Sequence, residues 1–417
     1  MTPKQLEKVS KSLLVFIGTL AKGLGDARRE PAMRDYITGL LLDGEGKSME
    51  PMAARLVAEP DDREAVRQRL QHHVSVSDWD DDAVRAELAE QVESEMSDIE
   101  AFVIDDTGFA KKGEHSVGVA RQYSGTLARV GNCQVAASLH LVSEANSACI
   151  GMRLYLPQTW ANDPERRKKA GVPAEVKFLK KWQIGLELLD KALAWGSPKR
   201  PVLSDAGYGD CVEFRQGLDA RELPYVVGIS STTIVWRPGE EPRSKTNDQT
   251  QKSSRDRGEK APGKPVSILA LAMERGRKGL STVTWRRGSK GPQRSRFGVL
   301  RIRTAHDHDK GKPPSAEQWL LYEWPNDEDE PTKFWLSTLP EQTSKRRLIK
   351  LAKLRWRVER DYQDMKQEVG LDDFQGRKWR GFHHHATLCM AAHAFLALNR
   401  AFFPHRTPRT TTSPDFA

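Results

Sequence analysis

Residues 99–108 read IEAFVIDDTG, and the fold turns on whether that run is a strand. Ala101 to Ile104 are apolar, two aspartates follow, and a Thr-Gly pair comes next. A short apolar run closed by turn-forming residues is the pattern of a buried strand whose end carries polar groups. Upstream, "LLVFIGTLAKGL", "MRDYITGLLL", "MEPMAARLV" and "DDDAVRAELAEQV" space their apolar residues at helical intervals, so residues 1–98 read as a separate helical domain.

Downstream, strand-like runs follow closely: "SVGVARQY", "NCQVAASLHLV" and "CIGMRLYLP". A helix over 175–196, a strand "PVLSD", a helix over 210–223 and a strand "PYVVGIS" come next. Strands followed by alternating helices and strands predict an α/β layer with one mixed sheet across 99–236. From Arg237 the chain turns polar and rich in Pro and Gly, a stretch expected to be mobile. Four strand-like pieces then appear, "STVTWRRG", "RFGVLRIRTA", "EQWLLYEW" and "FWLSTLP". Residues 237–340 therefore read as a β-rich insertion with a polar linker, 341–400 as C-terminal helices, and 401–417 as a disordered tail.

A chain of 417 residues with 38% hydrophobic content can bury two or three real cores. No run approaches the ~20 apolar residues of a membrane span, and the N-terminal run is too short and polar for a signal peptide. A cytoplasmic protein is expected. Cys133, Cys149, Cys211 and Cys389 are isolated, without a CxxC pair, which argues against a disulfide framework or a zinc knuckle. The net charge of +9 is unevenly spread: residues 58–100 hold 14 acidic against 4 basic residues, whereas 237–303 hold 18 basic against 6 acidic and 345–380 hold 12 against 6. Clustered Lys and Arg gain free energy by releasing counterions from phosphates, so a polyanion is expected to meet the later part of the chain.

Asp105 and Asp106 close the first strand, Asp205 closes "PVLSD", and a glycine follows each site within two residues. Such carboxylates suit hard cations, although aspartate near glycine is also an ordinary turn residue. A third carboxylate lies in "LRWRVERDYQDMKQEVGLDDF", residues 354–374. At ~100° per residue, Arg355, Glu359, Tyr362 and Lys366 fall within about 60° of one another. Leu351, Leu354, Val358, Met365 and Val369 make a core stripe, and Lys353, Arg357, Arg360, Asp361 and Asp364 fall on the far, outward side. By itself an Arg355–Glu359 pair at i,i+4 is worth only a few tenths of a kcal/mol, as on any solvated helix.

The spacing of Arg355, Glu359 and Lys366 resembles the arginine-glutamate-lysine part of the tyrosine-arginine-glutamate-lysine signature of bacterial insertion-sequence DDE transposases. The signature's tyrosine falls at Ala352, and Tyr362, on the same face, is the expected substitute. The resemblance extends over "VIDDTGFAKKGEHSVGVARQYSGTLARVGNCQVAASL", "LPQTWANDPERRKKAGVP", "SDAGYGD" and "GLDDFQGRKWRGFHHHA", about residues 100–395. It implies an α/β RNase H-like catalytic core, a mixed five-stranded sheet flanked by helices, with a β-rich insertion and an N-terminal all-α DNA-binding domain.

The same resemblance implies a triad of Asp106, Asp205 and Glu359 that binds two Mg²⁺ ions, with Mn²⁺ as a substitute. Asp106 is taken rather than Asp105 because it directly precedes Thr107 and alternates in step with Phe102 and Ile104. The expected DNA contacts are Arg355, Lys366, Tyr362, Lys111, Lys112 and Trp285. Trp285 and Trp335 are candidates to stack on a displaced base at the transposon end, although a core tryptophan is the stronger reading of both, and Lys111 and Lys112 read also as a solvated turn. His383, His384 and His385 lack the other ligands of a zinc site and read as packing or phosphate contacts. The implied activity is cut-and-paste transposition: cleavage at terminal inverted repeats and transfer of the 3′-OH into target DNA. A homodimer in a nucleoid-associated synaptic complex is expected, with no membrane. The alternatives are an RNase H-like nuclease or resolvase without strand transfer, and a domesticated, non-catalytic DNA-binding protein.

Overall fold

The apolar spacing of the first hundred residues produces helices in the computed structural model, which describes residues 2–240, 264–288, 291–305, 315–400 and 402, with backbone alone at 287 and 288. They are α1 (Pro3–Ala21), α2 (Glu30–Leu41), α3 (Met49–Leu56), α4 (Arg63–Ser75) and α5 (Asp81–Glu95). Local chemistry sets their starts: Thr2 and Gln5 cap α1 reciprocally, and the Asp80 side chain accepts from the Asp82 amide at the head of α5. Most of the expected polar linker (241–263) and, apart from Phe402, the expected tail lie outside the described residues.

The run at 101–110 is a strand, β1 (Ala101–Ala110), followed by β2 (Ala120–Ser124), β3 (Arg129–Val142) and β4 (Ser147–Leu154). Next come α6 (Gln158–Ala161), α7 (Pro164–Ala170), α8 (Lys181–Ala194), β5 (Val202–Ser204), α9 (Ala206–Gly209), α10 (Val212–Asp219) and β6 (Tyr225–Ile229). β3 lies antiparallel between β1 and β4, while β5 and β6 continue parallel on the other side of β1, giving the order β4-β3-β1-β5-β6. β1 does not stop at its aspartates. It runs on to Ala110, opposite Cys133, so Thr107 and Gly108 lie in the ladder and not in a turn. Gly108 serves a close approach instead: a Cβ there would stand 1.9 Å from Ser124 Oγ.

The second half contains β7 (Ile234–Trp236), β8 (Val266–Ser267), α11 (Ile268–Arg275), β9 (Ser281–Gly288), β10 (Gly291–Thr304), β11 (Gln318–Glu323) and β12 (Lys333–Ser337). The four strands expected in the insertion are present, but they do not stand apart. β12 pairs antiparallel with β6, so the sheet continues through β11, β10, β7 and β8. The helix α11 within this region is an addition to the strands expected there.

The chain closes with α12 (Lys345–Leu354), α13 (Trp356–Gln367) and α14 (Trp379–Leu398). The stretch expected as one helix is interrupted at Arg355, whose carbonyl accepts from the Val358 amide in a tighter turn. α14 is apolar around most of its girth and buried along nearly its whole length. It packs against α2, α4, α5 and β4, and one apolar cluster joins Phe16, Tyr36, Leu88, Ile104 and Phe395. The N-terminal helices, expected as a separate domain, thus share a core with the sheet, because α14 needs cover on every side.

His383, His384 and His385 fasten that junction from inside. His383 accepts from the Leu154 amide (3.2 Å), His384 stacks on Trp79 (3.7 Å), and His385 meets the Tyr36 hydroxyl (2.8 Å). All three are packing groups. No helix among the described residues is long and apolar enough to cross a membrane.

Burial pushes the pKa of His73 down to about 3 and those of His383, His384 and His385 down to about 4. Backbone carbonyls facing the ring nitrogens of His384 oppose its shift. The unfolded chain takes up protons on these imidazoles near pH 6.5 while the native state does not, so their contribution to stability is full above pH 6.5 and falls as pH drops toward 4. Thermal unfolding scans should therefore show Tm falling between pH 6.5 and 5, above the ordinary carboxylate range; a flat profile there would contradict neutral, buried histidines.

Candidate active site

Strand parity decides which carboxylates meet. Phe102 and Ile104 point into the cluster that holds α8 and α14, whereas Ala101 and Val103 point into a second cluster with Leu348, Ile349, Leu351, Ala352, Leu354 and Val358 of α12 and α13. Asp105 follows Val103 onto the second face, and Asp106 follows Ile104 onto the first. β5 repeats the pattern, with Val202 in the first cluster and Leu203 in the second. Parallel pairing sets Phe102 beside Val202 and Val103 beside Leu203. Two residues further on, Asp105 and Asp205 leave neighbouring strands on the same face.

That face is the one α13 covers, and Arg355 joins its groups. Its guanidinium donates to Asp105 Oδ2 (2.5 Å) and to Glu359 Oε1 (3.1 Å), and it feels the charge of Asp205 as well. Burial, opposed in part by Arg355 and reinforced by the neighbouring Asp205 carboxylate, raises the pKa of Asp105 to about 6. Asp205 Oδ1 is buried without a hydrogen-bond partner. The Glu359 side chain is 65% exposed. The Asp205 loop can press on β6 because residue 209 is glycine: a Cβ there would stand 1.9 Å from the Gly228 carbonyl oxygen. Tyr208, in the same loop, donates to the Asp105 carbonyl (3.3 Å) and so ties the two acidic strand ends together.

Asp106, expected beside Asp205 and Glu359, lies on the opposite face of β1 from Asp105. It faces α8, where Lys181 donates to its Oδ2 at 2.6 Å. The alternation along β1 is as expected, but the face that α12 and α13 cover is the one shared by Val103 and Asp105. Only the position of α12 and α13 reveals that, and neither Lys181 nor Tyr208 carries a sequence signal for its part.

The other expected residues fall in different surroundings. Lys366 donates to the Gly108 carbonyl (2.7 Å) and Lys111 to the Phe374 carbonyl (3.0 Å), so both ammonium groups are tethered to backbone, while Lys112 is exposed. The Tyr362 hydroxyl is held by Ser138 Oγ at 2.6 Å, within the protein. Ala352 is buried among the apolar residues of α12. Trp285 is half-buried with Lys353 Nζ 4.5 Å from its ring centroid, and Trp335 is buried nearby. Arg357 and Asp361, expected to face outward, are buried; α13 is covered on that side by β4 and α14.

All the candidate ligands are carboxylate oxygens, the donor type preferred by Mg²⁺ and Mn²⁺. The orphaned Asp205 oxygen and the raised pKa of Asp105 both fit a cation between them. Among the described residues, no three His, Cys, Asp or Glu side chains enclose an ion as they stand. The guanidinium of Arg355 lies between Asp105 and Glu359, and the exposed Glu359 has room to turn.

A family model described as DDE superfamily endonuclease matches residues 19–292. The chain belongs to the DDE superfamily endonucleases. The match spans Asp105 and Asp205 and ends before Glu359. The chain is also similar to a probable transposase for insertion sequence element IS701 from Microchaete diplosiphon, with 29% identity over 214 residues, 50% of this chain and 51% of the relative. It thus spans about half the length of that curated relative.

For this DDE-family chain the two neighbouring aspartates make opposite forecasts. Asp105→Asn should lower metal-dependent DNA nicking by about 100-fold or more, because charge stabilisation by a bound metal is worth several kcal/mol and each ~1.4 kcal/mol is tenfold. Asp106→Asn breaks only a part-exposed pair with Lys181, worth about 1 kcal/mol or less, and should leave the rate within a few-fold. A nicking assay on both variants would show the reverse order if the site used the other face of β1.

Proposed function

We propose that this protein is an insertion-sequence transposase with an RNase H-like core, in which Asp105, Asp205 and Glu359 are the catalytic carboxylates. One observation carries the reading: the parallel register of β1 and β5 sets two aspartates side by side on the face covered by the helix of Glu359. The strand order β4-β3-β1-β5-β6, with β3 antiparallel to β1 and the rest parallel to it, supports the RNase H-like topology.

Bound at the carboxylates, two Mg²⁺ ions, or Mn²⁺ in their place, would supply an activated water and neutralise the leaving 3′ oxygen of a DNA phosphodiester. Asp105 and Asp205 hold their oxygens fixed on neighbouring strand ends, whereas Glu359 completes the set by turning away from Arg355. Arg355, released from Glu359, has its guanidinium available for a phosphate of the same strand. The excess of Lys and Arg over Asp and Glu in 237–303 and 345–380 favours attraction to the DNA backbone.

The substrates in this reading are the terminal inverted repeats of the element and a target duplex, with the N-terminal helices contacting the ends. Cut-and-paste joining requires two ends at once, which a homodimer in the synaptic complex provides. The reaction belongs in the bacterial cytoplasm, at the nucleoid.

Incubation of the protein with a precleaved transposon end, target DNA and Mg²⁺ should give a joined product, and Asp205→Asn should abolish it while end binding persists. Cleavage without joining would assign a nuclease or resolvase. Binding without either reaction would assign a non-catalytic DNA-binding protein.

A further inference from the structure

Beneath α13 lies a polar network separate from the acidic cluster. Asp361, 2% exposed, sits two residues after Glu359 and turns inward. Ser147 donates to its Oδ1 (2.6 Å), His140 Nδ1 lies 2.8 Å from its Oδ2, and His393 Nε2 lies 3.8 Å from Oδ1. The chain of contacts continues from His140 Nε2 to Ser138 Oγ (2.9 Å) and on to the Tyr362 hydroxyl (2.6 Å). Ser138 and His140 belong to β3, Ser147 to β4 and His393 to α14, so three elements converge on one helix.

The sheet is bent to allow this. Pairing of β3 with β4 slips between Leu139, opposite Gly151, and His140, opposite Cys149. Cross-strand partners point to the same face, so this bulge moves Ser147 onto the face of Ser138 and His140, where unbroken alternation would turn it away. Ser138 is also the β3 partner of Asp105, and His140 is the partner of Val103. The network therefore adjoins the acidic strand end itself. Burial disfavours a charged His140, but Cys149 and Asp361 outweigh it and raise its pKa to about 10, while Asp361 is lowered by the His140 hydrogen bond in spite of burial.

We infer that Asp361, His140 and Ser147 are positioning residues, which lock the rotation of α13 so that Glu359 faces Asp105 and Asp205. The inference rests on the proposed role of Glu359. Apolar contacts alone hold a helix against a sheet without fixing its rotation closely, whereas hydrogen bonds from two strands to one carboxylate admit few orientations. A helix that rocked by even a fraction of a turn would carry Glu359 away from the aspartates. None of these residues touches the reacting atoms.

The decisive variant replaces the network by apolar groups, His140→Leu with Ser147→Ala and Asp361→Leu, an exchange that often preserves stability. It is compared with the wild-type protein by thermal unfolding, Mn²⁺ binding followed by electron paramagnetic resonance, hydrogen exchange of residues 356–367, and cleavage of a labelled DNA duplex. The expected result is a folded protein with unchanged KM for DNA, Mn²⁺ affinity and kcat each lowered roughly 10–100-fold, and faster exchange along α13. A folded variant with wild-type Mn²⁺ affinity, kcat and exchange overturns the inference. Should the triple variant not fold, Asp361→Asn, which keeps the shape, takes its place in the same measurements: the same losses support the inference, and wild-type values overturn it. If the wild-type protein neither binds Mn²⁺ nor cleaves, the catalytic reading fails; unchanged exchange along α13 in the variant would then separately overturn the claim that the network holds the helix, and faster exchange would uphold it.

Discussion

The parallel contact between Phe102–Val103 and Val202–Leu203 is the constraint on which the candidate site depends. It is short, because β5 has only three residues, but its register fixes where both chains leave the sheet. Parallel strands need a crossover, and here α6, α7 and α8 supply it across one face of the sheet. The other face stays open to α12 and α13. The acidic ends of β1 and β5 emerge beneath those helices, and a slip of one residue in either strand would turn its aspartate to the α8 side.

Bringing two carboxylates together under a helix is unfavourable by itself, and the surrounding residues show how it is tolerated. Asp105 is buried and its pKa is raised, so keeping it ionised requires a nearby cation. Arg355 serves that need, with Asp105, Asp205 and Glu359 all within its electrostatic reach. The interruption between α12 and α13 falls at this residue, which lets the guanidinium reach the strand end while Leu354 and Val358 stay in the apolar layer. Tyr208 closes the arrangement from below by joining the Asp205 loop to the backbone of β1.

Stability is organised around a different element. α14 is buried on most of its surface, and the N-terminal helices are its cover as much as they are a unit of their own. Neutral imidazoles at this junction, with His73 held down to about 3 by burial, make it the acid-sensitive part of the molecule. The strands between β6 and α12 add to the same sheet, which places the basic β9–β10 pair and the Trp285–Lys353 contact at the edge of α12.

Much of this was legible in the sequence where a pattern is local. Helical spacing marked the N-terminal helices, short apolar runs marked β1 to β6 and the four later strands, and the spacing of Arg355, Glu359 and Lys366 singled out the helix that lies over Asp105. What depended on distant partners was not legible. Nothing in "VIDDTG" says which face of β1 the last helices will cover, so alternation separated Asp105 from Asp106 without choosing between them. Nor does helical periodicity reveal that Asp361 and Arg357 are buried, because a face looks polar whether it meets water or a matching set of buried partners. By itself the sequence determined most of the elements and a short set of candidate carboxylates. The tertiary structure alone decided which of them meet, since the side to which a strand residue points has meaning only once another element packs against it.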